Sequence, residues 1–99
     1  MKKLFKNKKV TIIGLGLHGG GAGIAKFFCK QGAEVLVTDL KNKEQIKESI
    51  QKLKGLPIKY FLGAHRKEDF INADLIVKNP DVPNSSPFLK IARDHGVPI

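Results

Sequence analysis

Val10-Thr-Ile-Ile-Gly-Leu-Gly-Leu-His-Gly-Gly-Gly-Ala-Gly23 is an apolar run that breaks into glycines and is followed by Ala25, Phe27 and Phe28. It reads as a buried strand, a phosphate-sized turn and the start of a helix. Successive backbone N–H groups at a helix N-terminus form an anion site, and glycine lets a phosphate approach with no Cβ in the way. Gly14, Gly16 and Gly19 fit G-x-G-x-x-G. Asp39 follows about 20 residues later at the end of a second apolar run, Val35-Leu-Val-Thr38, which completes the dinucleotide fingerprint in its strand–turn–helix–strand setting. A carboxylate there is placed to accept hydrogen bonds from a ribose or a base edge; its plainer alternatives are a helix N-cap and a solvated strand end. A nucleotide ligand is the first hypothesis. On this reading Gly16→Val should block the phosphate and leave the fold intact.

Outward from this stretch, apolar runs and helical spacings alternate. Strands are expected at Lys9–Gly14, Glu34–Asp39, Ile58–Leu62, Asp74–Lys78 and Val97–Ile99, as the continuous runs of strands buried on both faces. The first helix, Gly21–Gln31, carries Ala22, Ala25 and Cys29 as small residues for close packing and stops at Gly32. The second, Lys43–Lys54, puts Ile46, Ile50 and Leu53 on one face and stops at Gly55. A short helix follows the third strand, with His65 as its cap. The last starts at Ser86 as N-cap with Pro87 in its first turn, buries Phe88, Ile91 and Ala92, and ends at Gly96. The order implies a Rossmann-like, three-layer α/β/α fold with five parallel strands in the order 3-2-1-4-5. All strand ends then share one edge, where the loop after Gly14, Asp39 and the turn Lys78-Asn79-Pro80-Asp81 converge on a crevice between strands one and four.

Composition narrows the classes. A chain of 99 residues suits one domain, and no apolar run approaches the roughly 20 residues of a bilayer span. The basic N-terminus is followed by the glycine turn and not by a cleavage site, so no export signal is read. Cys29 is the only cysteine, which leaves no disulfide framework and suits a reducing cytoplasm. The formal net charge of +9 invites a nucleic-acid reading. Against it, the lysines around the second helix are mixed with Glu44 and Glu48 as on solvated faces, there is no tryptophan, and Tyr60 is the only tyrosine. The three histidines, His18, His65 and His95, are too far apart for a metal spacing, and no nucleophile–base pair is evident, so neither a metal site nor a catalytic residue is expected.

To this point an NAD module and a UDP-sugar module fit equally well, and the second half of the chain separates them. Gly63-Ala-His65, Ala73-Asp-Leu-Ile-Val-Lys-Asn-Pro-Asp-Val-Pro83, then Pro87, Leu89, Ala92 and Gly96-Val-Pro-Ile99 follow the glycine loop in order. Together these motifs resemble the N-terminal domain of the Mur ligases, most closely the MurD branch, from about Lys9 to Ile99. The resemblance implies a domain that holds the UDP part of UDP-MurNAc-L-alanine, with ATP and Mg²⁺ bound by a central domain and D-glutamate by a C-terminal one. These residues contain no G-x-x-G-K-[ST], so alone they should not catalyse the ligation.

Carried over by position, the resemblance implies that the glycine loop, with Gly14, Gly16, Leu17, His18 and Gly19, contacts the diphosphate. It likewise implies that Asp39, Leu40 and Lys41 read uracil and ribose, and that Asn79 and Asp81 sit in the turn beside the ligand. Lys41 is also a candidate phosphate partner, and a loop histidine such as His18 can donate to a phosphate oxygen. Two features depart from the family pattern. Asp81 stands where glycine is usual, and the glycine loop runs about two residues longer, which makes Gly19, Gly20 and Gly21 rival phosphate partners. The rivals in other classes are an NAD-binding module and a basic nucleic-acid-binding protein.

Overall fold

In the computed structural model, which describes residues 4–16 and 20–99, the alternation of apolar runs becomes a four-stranded parallel sheet. Its strands are β1 (Lys9–Ile13), β2 (Glu34–Asp39), β3 (Ile58–Leu62) and β4 (Leu75–Lys78), in the order β3-β2-β1-β4. Between and after them run α1 (Gly20–Lys30), α2 (Lys47–Gln51), α3 (Lys67–Ile71) and α4 (Pro87–Asp94). Every strand pair is parallel, with Val10 level with Val35 and Leu75, so all four strands end on one edge.

The strand period sorts side chains onto two faces. Val10, Ile12, Val35 and Val37 pack with Ala22, Ala25 and Phe28 of α1 and with Ile46 and Leu53 around α2. Ile13 and Ile76 pack on the other face with Phe70, Ala73, Leu89, Ala92 and Val97. Thr11, buried on that second face, donates its hydroxyl to the carbonyl of Asp69 at 2.7 Å, which removes the cost of a polar group inside.

Three expectations are corrected. Val97–Ile99 is not a fifth strand: Ile76 N–H donates to the Pro98 carbonyl at 2.9 Å, but proline has no N–H to return a ladder bond. The second helix is shorter than Lys43–Lys54. Asn42 and Gln45 exchange side-chain-to-backbone bonds at 2.8 and 3.0 Å, but Ile46, at φ −115° and ψ 23°, interrupts the run before Lys47, and the far end tightens into i→i+3 bonds from Leu53 to Ile50 and from Lys54 to Gln51. In α4, Leu89 and Ala92 are fully buried while Phe88 and Ile91 are only half-buried, and Ser86 holds the N-cap position without a side-chain bond. Among the described residues no helix is long and apolar enough to cross a membrane.

Candidate functional site

The shared strand edge opens into a cleft of roughly 340 Å³. Of the ten positions expected from sequence, Gly14, Gly16, Asp39, Leu40, Lys41, Asn79 and Asp81 line it. Leu17, His18 and Gly19 lie outside the described residues.

Asp39 ends β2 almost buried, at 6% exposure, and each of its oxygens is engaged. The Leu15 N–H donates to Oδ2 and the Lys41 N–H to Oδ1, both at 2.9 Å. The carboxylate therefore braces the glycine loop against the end of β2. Two bonds leave acceptor capacity for a ligand, because a carboxylate offers about four lone-pair sites. Ser49 of α2 ties the same loop from the other side, donating its hydroxyl to the Gly16 carbonyl at 2.7 Å. Sequence reading gave α2 a packing role only; a small polar residue inside an apolar helix face was the available signal.

The glycines do more than clear space for a phosphate. Gly16 has φ +79°, and a Cβ there would lie 2.8 Å from Asn79 Nδ2; at Gly14 it would meet Asn79 Cβ and Val82 Cγ2, each at 2.9 Å. Gly16→Val would strain the backbone as well as fill the turn, so it would cost stability in addition to blocking the phosphate. Close helix–strand packing, the task of the third fingerprint glycine, falls on Gly21: a Cβ there would stand 2.3 Å from the Leu15 carbonyl oxygen. This packing glycine stands in the first turn of α1.

The turn after β4 is built from hydrogen bonds. Asn79 N–H donates to Ile13 O at 3.0 Å, Asp81 N–H to Asn79 Oδ1 at 3.0 Å, and Val82 N–H to Asn79 O at 2.9 Å. The Lys78 ammonium donates to the Val82 carbonyl at 2.9 Å and closes the turn. Asp81 does not have positive φ, so this backbone does not require glycine where the family usually has it.

His65 and Phe88 also line the cleft, although His65 was expected as a cap and Phe88 as core. Arg66 takes the N-cap position of α3, and its guanidinium makes two 2.9 Å bonds to Asp69. Thr38 Oγ1 stands 2.7 Å from His65 Nδ1, and the ring meets Phe70 and Phe88 edge-on. Burial pushes the imidazole below its ordinary pKa, against the opposing pull of the Asp39 and Asp69 carboxylates. The Gly63-Ala-His65 motif was a signal for His65; nothing local marked Phe88.

Among the described residues no group of three or more His, Cys, Asp or Glu side chains comes together. Residues 8–99 match the family model described as Mur ligase MurD-like, N-terminal domain. The chain belongs to this family. It is 48% identical over 92 residues to the UDP-N-acetylmuramoylalanine--D-glutamate ligase of Roseiflexus sp. (strain RS-1), covering 93% of this chain and 20% of that protein. Identity to the ligase of the same name from Treponema pallidum (strain Nichols) is 46% over 82 residues, covering 82% and 15%. For that of Borreliella burgdorferi (strain ZS7) it is 43% over 90 residues, covering 89% and 20%. The chain spans about a fifth of the length of these relatives. Among solved structures, L-sorbose reductase from Gluconobacter frateurii complexed with NADPH and L-sorbose aligns with a TM-score of 0.55 at 18% identity, over 91% of this chain and 39% of that one. That likeness shows the Rossmann-like fold and no more.

Proposed function

We propose that this MurD-like domain binds the UDP part of UDP-MurNAc-L-alanine for a ligase that adds D-glutamate with ATP during peptidoglycan-precursor synthesis. The observation that carries the reading is the convergence of Gly14, Gly16, Asp39, Leu40, Lys41, Asn79 and Asp81 on one cleft in a chain of this family. The loop before α1, a helix with no acidic residue in its first turn, takes the diphosphate with Gly14, Gly16, Leu17, His18 and Gly19. Asp39, Leu40 and Lys41 take uracil and ribose, and the Asn79–Asp81 turn closes the cleft beside them.

The domain's part is positioning. Tethering the UDP end places the distant L-alanine carboxylate for phosphorylation by ATP and attack by the D-glutamate amine, so remote binding energy becomes orientation. ATP, Mg²⁺ and D-glutamate belong to the rest of such a ligase, and no residue of this chain is assigned a catalytic role. A cytoplasmic site of action goes with a nucleotide-linked precursor.

The test is a titration of isotope-labelled chain with UDP, NADH and ATP separately, followed through backbone amide shifts. Saturable shifts with UDP at Gly14–Gly23 and Asp39–Lys41 are expected, with an affinity of roughly micromolar to millimolar because sugar and peptide contacts are missing. A stronger NADH response at those amides would replace this reading with a dinucleotide module.

A further inference from the structure

Gly63-Ala-His65 has no role in the nucleotide reading, yet the fold binds it to the middle of the cleft. The Gly63 N–H donates to the carbonyls of Asp39 at 2.9 Å and Lys41 at 3.0 Å, which laces this loop to the strand end assigned to base and ribose. Thr38 then fixes the ring through Nδ1 at 2.7 Å. Phe70 and Phe88, with centroids 5.9 and 5.2 Å from the imidazole, leave it little room to swing. Nε2 has no hydrogen-bond partner among the described residues, and none of their buried side-chain nitrogens or oxygens lacks one. His65 is only half-buried, and the open space beside it is the cleft.

We propose that His65 is a base-recognising residue of this cleft, its ring positioned by Thr38 so that Nε2 hydrogen-bonds the polar edge of a pyrimidine. The proposal rests on the uridine-nucleotide reading. A uracil edge alternates carbonyl acceptors with an N–H donor, and the Thr38–His65 pair can meet either. With the hydroxyl donating to Nδ1, Nε2–H is a donor; with the hydroxyl turned to the Ala64 carbonyl at 3.3 Å and accepting from Nδ1–H, Nε2 is an acceptor. Both arrangements use the neutral imidazole, the form that burial among Thr38, Phe70 and Phe88 favours.

The experiment titrates the ¹⁵N-labelled chain with UDP and, separately, with inorganic pyrophosphate, observing the ring nitrogens of His65 and the backbone amides. UDP should shift Nε2 and pyrophosphate should not. His65→Asn keeps an amide within reach of Thr38 but has no atom at Nε2; it should weaken UDP about tenfold and leave pyrophosphate unchanged. UDP binding with an unmoved Nε2, a UDP affinity in His65→Asn within about twofold of the parent, or an equal loss for pyrophosphate would each overturn the inference while the UDP reading stands. If His65→Asn fails to fold, the Nε2 shift of the unsubstituted chain decides alone. Absence of any saturable UDP response would overturn both.

Discussion

The loop after β1 and the turn after β4 meet at the same sheet edge and are built by opposite means. The first is defined by missing side chains, with Gly14 and Gly16 at positive φ and held from outside by Asp39 and Ser49. The second supplies its own bonds: Asn79 caps Asp81 and closes onto Val82, with Lys78 as a strut. They also fit each other, because the space a side chain at Gly14 or Gly16 would fill is occupied by Asn79. A glycine-rich motif therefore reports here on close approach by the protein's own turn as much as by a ligand. Which occupant a given glycine serves follows from what stands opposite it.

The sharpest break of this comparison is at Gly21. A Cβ there meets backbone that cannot swing aside, so Gly21→Ala should lower unfolding free energy by about 3 kcal/mol in urea titration. Gly23→Ala, facing open space in the same helix, should raise it by about 0.5–1 kcal/mol. Equal effects at the two positions would remove the packing role given to Gly21.

Next is the brace. Asp39→Ala strips the acceptor from the buried Leu15 N–H and from Lys41, which should cost about 2 kcal/mol and speed hydrogen exchange at both amides. Unchanged exchange at Leu15 would mean that the loop holds itself. Weaker UDP binding in this variant would mix loop disorder with lost contact, so the exchange measurement comes first.

The smallest effect tests the fit between the loops. Gly16→Ala and Asn79→Ala should each destabilise, and the double variant should recover about 0.5–1 kcal/mol of the sum, because alanine at 79 removes the Nδ2 that crowds a Cβ at 16. Strict additivity in denaturant midpoints would show that the loops do not touch energetically.

Much of the fold was legible because its signals are local. β2 and β3 have the bounds read from their apolar runs, and β1 and β4 differ by one residue at an end. The glycine stops at Gly32 and Gly55, both at positive φ, act within a single turn of chain. The errors arose where a neighbour decides. Val97–Ile99 has strand-like residues, but Pro98 cannot donate to a ladder. Phe88 looks like core in a helical period, yet the packing of α4 gives the fully buried positions to Leu89 and Ala92 and leaves Phe88 at the cleft.

The chain by itself determined the alternation of strands and helices, the parallel sheet and the gathering of Gly14, Asp39 and Asn79 at one edge, since periodicity and chain direction are properties of short windows. Only tertiary structure decided that Asp39 braces Leu15, that Ser49 holds Gly16, that Asn79 fills the space beside the glycines, and that His65 is fixed by Thr38. Those pairings join residues 24 to 65 positions apart, and the last of them 27 apart, so no local preference specifies them. They exist because folding takes Thr38, Asp39 and Ser49 out of water beside the open cleft, and each buried donor and acceptor must then find a partner wherever the chain has brought one.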